Sequence, residues 1–239
     1  MEKNNKIRKY IKGYLFILPN FIGFFVFMAL PIIMGLVISF TDYNGFSQFN
    51  FVGLKNYIDM FHDEYFTVSL KNNLVYTLVT VPGTIVFALL LAVGVNKGIK
   101  GSSLFKTMFF LPNISSMVAV GIVWAMIFNP TQGPLNQVLM ALGVANPPQW
   151  LSATKTALGS VMVVAIWKQA GYYMIIILAG LQSIPSQLYE AASIDGANSV
   201  EKFFKITLPM LSPTMFMVTI LSIINSFQVF DLVNIMTQG

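Results

Sequence analysis

The sequence predicts an all-α integral membrane protein, a polytopic helical bundle, on two observations. Hydrophobic residues make up 56% of the 239 residues and charged residues only 10%, whereas soluble domains carry about 25% charged residues. The charged residues also leave long gaps, each able to hold the roughly 20 apolar residues that cross a bilayer. These uncharged intervals are 13–41, 72–96, 107–154, 169–189 and 206–230.

Five membrane spans follow from these intervals. The basic start of the chain resembles a signal peptide, but its apolar run continues to Phe40, which is too long for one. We therefore predict that the first span is retained. The predicted spans are Gly13–Phe40, Leu74–Val95, Thr107–Phe128, Ala157–Leu181 and Pro213–Phe230.

The distribution of Lys and Arg predicts the orientation, because these residues concentrate in cytoplasmic loops. One set of alternate segments holds ten of them: Lys3, Lys6, Arg8, Lys9, Lys12, Lys97, Lys100, Lys106, Lys202 and Lys205. The other set holds only Lys55, Lys71 and Lys155. We therefore expect the N-terminus to be cytoplasmic and Gly239 to lie outside.

Two segments predicted to be external have apolar residues at helical spacing. They contain Leu54, Tyr57, Ile58, Phe61 and Tyr65 in the first and Leu135, Val138, Leu139 and Leu142 in the second. Both patterns are typical of amphipathic helices in the membrane interface. We favour a packed cap over the bundle, and a docking surface is the alternative.

Prolines interrupt three of the predicted spans, at Pro31, Pro82 and Pro112. Each removes a backbone donor and favours a kink, although neighbouring helices in a membrane can bond the freed carbonyls. Kinked spans suit a protein that moves and also occur in rigid bundles, so both interpretations remain open.

Several kinds of chemistry are missing from the sequence. No Asp or Glu lies inside a predicted span, which argues against a proton-coupled carrier. There is no Gly-Lys pair, so no phosphate-binding loop of the GxxxxGK[ST] type is present. The single histidine, His62, and the absence of cysteine leave no His- or Cys-rich metal site. We expect no catalytic, cofactor-binding or metal-binding residues.

One charge does fall inside a predicted span, at Lys168. A buried ammonium group must face protein or water rather than lipid. It is therefore a candidate for lining a substrate path. Two alternatives are a brace that bonds backbone carbonyls of another helix, or a side chain that reaches outward to the interface.

The stretch between the fourth and fifth spans predicts a polar helical hairpin, residues 186–209. Asp195-Gly196 is a turn or helix-end signal. Asn198 with Glu201 three residues later resembles a capping box, and Pro209 stops or bends the second helix. A short connection does not need two structured helices, so the pattern indicates a partner.

This hairpin resembles the signature loop in the membrane subunits of bacterial ABC importers. The pattern is Glu-Ala-Ala, then Asp-Gly-Ala, then Ile-x-Leu-Pro, and it is carried by Glu190, Ala191, Ala192, Asp195, Gly196, Ala197, Ile206, Leu208 and Pro209. The resemblance extends to FFLPN and IWKQAGYYMIIILAGLQSIPSQLYEAA and covers nearly the whole chain. These segments look like the carbohydrate-type permeases, which serve maltose, other oligosaccharides and glycerol phosphate.

The resemblance implies a permease subunit in a bacterial plasma membrane that is not itself an enzyme and needs no cofactor. It would form half of the pathway for a sugar that an external solute-binding protein delivers. Its partners would be a second homologous permease, two ATPase subunits, the lipid bilayer and the carbohydrate, with no nucleic acid. The family's loop docks on the ATPase, which assigns coupling roles to Glu190, Ala191, Ala192, Asp195, Gly196 and Ala197.

One departure from the family concerns the end of the chain. Such permeases usually continue from a TQGGP-like segment into a sixth span, whereas this sequence ends at MTQG. We therefore expect five spans of a probable six within one permease domain, residues 1–239. Two other functions remain as alternatives: a self-sufficient secondary carrier, and a membrane scaffold without a transport role.

Overall fold

The computed structural model describes residues 2–46, 49–96 and 101–238, with side chains from residue 10 onward. Most of these residues are helical, and an isolated antiparallel bridge joins Thr41 and Phe51. The chain divides into two compact units, Met1–Ser69 and Leu70–Gly239. Some residues of the orientation argument lie outside this description: Lys97, Lys100 and Gly239 entirely, and Lys3, Lys6, Arg8 and Lys9 for their side chains.

The first unit begins with one long helical run. Helix α1 (Glu2–Phe24) passes through a π-helical turn (Phe25–Ala29) into α2 (Leu30–Ile38). Pro31 follows this turn, and an extra residue in the turn relieves the crowding that a proline ring imposes on the preceding turn. The run Tyr10–Ile38 is long and apolar enough to cross a membrane, as predicted for the first span.

A short polar connection closes the first unit. The side-chain amide of Asn56, in α3 (Lys55–His62), donates to the carbonyl oxygens of Ser39 at 3.0 Å and Thr41 at 2.7 Å. The hydroxyls of Ser39 and Tyr57 lie 2.6 Å apart. These bonds hold α3 against the end of α2, and the helix predicted from Leu54 and its neighbours is confirmed.

Three helices form the centre of the second unit: α4 (Glu64–Asn96), α8 (Thr154–Gln182) and α12 (Ser212–Phe227). Small residues of α4 let the helices approach closely, since Ala88 and Ala92 have no exposed surface. They belong to one buried cluster with residues of α8 and α12: Tyr173, Met174, Ile177 and Val218.

The third predicted span differs from the expectation. A continuous helix over Thr107–Phe128 was predicted, but the structure has α5 (Ser102–Ile114) and α6 (Met117–Ile127), bent by 99°. Ser115 and Ser116 are extended, with ψ of 144° and 136°. The break follows Pro112, which removes a backbone donor from the last turn of α5.

Shorter helices complete the described part of the second unit. They are α7 (Pro134–Ala141), α9 (Ser186–Ile194), α10 (Ser199–Lys202), α11 (Leu208–Met210) and α13 (Asp231–Thr237). A π-helical turn (Phe203–Thr207) joins α10 to α11, and the amphipathic helix predicted around Leu135 is confirmed as α7. Helix α13 packs against α6 and α8.

By length and composition, three helices in the described residues could cross a membrane, or up to five if each bent pair is one span. The unbroken ones are Tyr10–Ile38, Glu64–Asn96 and Thr154–Gln182. One bent pair is α5 with α6. The other is the 199–227 segment, which turns by 65° at Leu211. The helical membrane bundle predicted from the sequence is confirmed.

Candidate functional site

The turn between α9 and α10 is a helix C-terminal motif that favours glycine. Gly196 has φ of +81°. The amide of Ala197 donates to the carbonyl of Ala192 at 2.8 Å, and the amide of Gly196 donates to the carbonyl of Ser193 at 3.2 Å. These bonds satisfy carbonyls that the end of α9 would otherwise leave free. The turn therefore has one defined conformation.

Helix α10 begins with the predicted capping box. The Asn198 side chain accepts from the amides of Val200 at 3.0 Å and Glu201 at 2.9 Å, while the Glu201 carboxylate accepts from the Asn198 amide at 3.0 Å. That amide and the Lys205 ammonium, 3.2 Å from the carboxylate, hold the pKa of Glu201 below its ordinary value. The deprotonated form is thus favoured in the folded hairpin.

Side chains also tie the two halves of the hairpin together. The Lys202 ammonium donates to the Ser193 hydroxyl at 2.6 Å. The hydroxyls of Tyr189 and Thr207 lie 2.9 Å apart. Because each bond joins α9 to the segment after the turn, the hairpin can move as one body.

All the coupling residues suggested by the sequence fall within this hairpin. Three lie in α9 and three in the turn: Glu190, Ala191, Ala192, Asp195, Gly196 and Ala197. Glu190 is exposed, and no ion pair or hydrogen bond engages its carboxylate in the described part of the chain. Ile194, on the same helix, is 88% exposed. The hairpin therefore presents a free carboxylate and an apolar side chain on its surface.

A second feature is a cavity of about 420 Å³ inside the second unit. Its wall includes residues of α4, α5, α6, α8, α12 and α13. Side-chain amides supply much of its polar lining, from Asn113, Gln169, Asn225 and Gln228. The aromatic ring of Tyr172 also lies in this wall. Such a mixture of planar amides and an aromatic ring can bind a polar solute.

Lys168 lies in the wall of this cavity and is only 5% exposed. Its ammonium donates to the carbonyl oxygens of Pro112 at 2.9 Å, Asn113 at 3.2 Å and Ser115 at 3.0 Å. The structure therefore places Lys168 in the wall of a cavity, and its role in lining a substrate path stays a prediction. The ammonium also has the backbone carbonyl partners expected if Lys168 instead braces another helix.

Sequence reasoning missed the other polar residues of the cavity. They are Asn113, Gln169, Asn225, Gln228 and Asp231. A signal was present, because amide side chains are rare in spans that face only lipid. Of these amides, Asn225 is anchored by a 3.0 Å bond from its side-chain nitrogen to the Tyr173 hydroxyl. The structure adds what the sequence lacks, namely that these positions on separate helices face one space.

Comparison with known proteins finds several similar permeases. The chain is 40% identical to the probable ABC transporter permease protein YesP of Bacillus subtilis, an alignment covering 100% of this chain and 78% of that one. It is 37% identical to the lactose transport system permease protein LacF of Rhizobium radiobacter, over 96% and 77%. It is 33% identical to the trehalose/maltose transport system permease protein MalF of Thermococcus litoralis, over 98% and 79%.

Solved structures give the same fold. A bacterial ABC transporter involved in the import of the acidic polysaccharide alginate has a chain that matches with a TM-score of 0.81 and 25% identity, over 96% of this chain and 78% of that one. A bacterial alginate ABC transporter in complex with an alginate pentasaccharide-bound periplasmic protein matches with a TM-score of 0.78 and 28% identity, over 91% and 73%.

The family described as the binding-protein-dependent transport system inner membrane component matches residues 84–239, more than half of the chain. That region contains the cavity-lining helices from the middle of α4 onward, together with the hairpin. The chain belongs to this family, and it is a multi-pass membrane permease of an ABC transporter.

Proposed function

We propose that the chain forms half of the translocation pathway for a carbohydrate in an ATP-driven importer. An external binding protein delivers the sugar, a second homologous permease supplies the other half, and two separate ATPase subunits hydrolyse ATP. Similarity to permeases named for lactose and for trehalose/maltose transport supports the class of solute. The family itself is a transport subunit that depends on a binding protein.

The observation that carries the proposal is the set of free amides in the cavity. The side chains of Asn113, Gln169 and Gln228 make no hydrogen bond within the described residues, although all three line the cavity. Each amide offers both donors and an acceptor, which match the hydroxyl groups of a sugar. Tyr172 adds an aromatic face against which a sugar ring can pack.

Uptake measurements on the full-length complex with a panel of radiolabelled sugars test this proposal. Among the panel, one sugar class is expected to be transported, and Gln169→Ala is expected to raise its apparent KM. Loss of one neutral hydrogen bond is worth about 0.5–1.5 kcal/mol, or roughly a two- to tenfold rise. Gln182→Ala is the matched control, because Gln182 ends the same helix and is exposed outside the cavity.

Two outcomes would contradict the proposal. One is that no sugar in the panel is transported by a complex that assembles and hydrolyses ATP. The other is that Gln169→Ala and Gln182→Ala behave alike, with the KM of the unmodified complex. The second result would be compatible with sugar transport but would show that the cavity does not bind the sugar.

The hairpin is the proposed joint with the ATPase. Its support is the free carboxylate of Glu190 and the exposed side chain of Ile194, on a helix fixed at its end by the Gly196 turn. The Lys202–Ser193 bond ties the two halves of the hairpin together. A displacement of α9 would therefore be transmitted to α12 without a change in the conformation of the turn. The positive-inside count supports a cytoplasmic location for this hairpin, on the side where ATP is available.

A further inference from the structure

The broken span leaves carbonyl groups without intrahelical donors at the end of α5, beside the wall of the cavity. Helix α5 ends at Ile114, so the carbonyls of its last turn have no partner within the helix. At membrane depth each such group needs a partner from protein or from the water of a cavity, because lipid offers none. The end of a helix also carries a partial negative charge. A buried cation at this point would therefore satisfy both requirements.

Lys168 supplies that cation from another helix. An ammonium group has three N–H donors, and all three are directed at the break, toward the carbonyls of Pro112, Asn113 and Ser115. No carboxylate pairs with Lys168 in the described part of the chain. With its donors fully used, the ammonium has none left for a solute in the cavity.

The approach that makes these bonds possible depends on Gly171, one turn along α8 from Lys168. A Cβ at this position would overlap the carbonyl oxygen of Phe109 in α5. The absence of a side chain therefore lets the backbones of α8 and α5 come into contact. Gly171 and Lys168, both on α8, therefore contact the last turns of α5.

We propose that Lys168 is a positioning residue that holds the break between α5 and α6 at its present bend. It thereby fixes Asn113 and Met117, on either side of the break, in the wall of the cavity. The ammonium acts on the backbone of α5 and makes no contact with the solute. This role depends on the geometry of the break alone and stands whatever solute the permease carries.

Spin-label distances across the break test the proposal without any solute. The 239 residues contain no cysteine. In a complex whose remaining sequence and partner subunits are made cysteine-free, cysteines introduced at Leu104 and Met126, which are 66% and 68% exposed, can be labelled uniquely. The distance between the labels is measured by pulsed electron paramagnetic resonance in the full-length complex. The variants are Lys168→Met, Lys168→Arg and Gly171→Ala, with Lys155→Met as the control for an exposed lysine on α8.

We expect a single narrow distance in the unmodified complex and in Lys155→Met. Lys168→Met should broaden the distribution and shift its mean, because the carbonyls lose their donors. Gly171→Ala should do the same, because its methyl group pushes α8 away from α5. Lys168→Arg should narrow the distribution relative to Lys168→Met, since a guanidinium group also donates to carbonyl oxygens.

The same complexes should show uptake that falls with the broadened distance and recovers in Lys168→Arg. An unchanged distance in Lys168→Met would overturn the proposal, and so would an arginine variant as broad as the methionine variant. If Lys168→Met does not assemble, Gly171→Ala decides alone: a narrow, unshifted distance in that variant would equally overturn it. The distance readout does not depend on the solute being a sugar.

Discussion

Replacement of Gly196 by valine is expected to uncouple transport while the permease still inserts. Gly196 has φ of +81°, in the left-handed region that residues with a Cβ avoid. A Cβ added there would meet nothing within 4 Å. The whole penalty therefore comes from backbone strain, and it is relieved only if the turn changes its conformation. Such a change would break the bond from Ala197 to Ala192 and alter how α9 is presented.

The magnitude follows from the cost of the left-handed conformation for an L-residue, about 1–2 kcal/mol. For a chain of this size that corresponds to a fall in melting temperature of roughly 2–8 °C, since 1 kcal/mol shifts it by about 2–4 °C. This loss is small enough for the complex to be purified. A defect in coupling can therefore be separated from a failure to fold.

Gly143→Val is the matched control, because Gly143 has φ of +91° and also has nothing within 4 Å of an added Cβ. It lies after α7, away from the hairpin in sequence. Both valine variants should lose similar thermal stability. Only Gly196→Val should lose ATPase co-purification or ATP-driven uptake. Gly196→Asn should retain most activity, because asparagine tolerates the left-handed region.

The reasoning would be refuted if Gly196→Val transported at the rate of the unmodified complex. It would also be refuted if Gly143→Val lost ATPase association to the same degree, because strain anywhere in the chain would then explain the defect. Measurements of melting temperature, co-purification and uptake on the same preparations distinguish these cases.

Four further predictions concern the hairpin. Glu190→Gln should weaken ATPase association and leave the sugar preference of residual uptake unchanged; a changed preference with normal association would instead place Glu190 in the pathway. Cysteines at Ser193 and Ser199 should react only with reagents added from the cytoplasmic side, and labelling from outside would reverse the predicted topology. Asn198→Ala should destabilise the permease by about 1 kcal/mol through loss of the cap. The pKa of Glu201 in the folded permease is lowered from its ordinary value of 4.5. The stabilisation that its ionised carboxylate gives is therefore present above pH 4.5 and is lost as the pH falls through the folded-state pKa. Melting curves of Glu201→Gln and the unmodified permease should therefore differ at neutral pH and converge in acid.

The local features of the hairpin were predictable because short-range spacing determines them. Asn198 and Glu201 are three residues apart, so each side chain reaches the backbone of the other without help from the rest of the fold. The Asp195-Gly196 pair likewise specifies a helix end through a conformation that favours glycine. Both predictions needed only the sequence between Glu190 and Pro209.

The cavity could not be predicted in the same way, because its residues come from helices far apart in sequence. Lys168 bonds to residues 53 to 56 positions away. The hydroxyls of Thr77 and Ser226, which link α4 to α12, are 149 positions apart and 3.0 Å from each other. Periodicity identifies the buried side of each helix but not which helix lies opposite. The sequence therefore identified the amides of the cavity as polar residues but could not predict that they line one site.

The prolines show why local sequence alone did not decide the shape of the spans. Helix α4 continues through Pro82 without interruption. Leu30-Pro31 and Leu208-Pro209 each follow a π-helical turn, in which the leucine amide bonds to the carbonyl five residues earlier. Pro112 is followed by the 99° break and Pro209 by the 65° turn at Leu211, and at the first of these Lys168 provides donors to the carbonyls beside the break. A proline makes a bend possible, and the surrounding helices determine whether the bend can be satisfied in a membrane. The 99° break is thus a property of α8 as much as of α5, and a substitution on α8 should be able to change it.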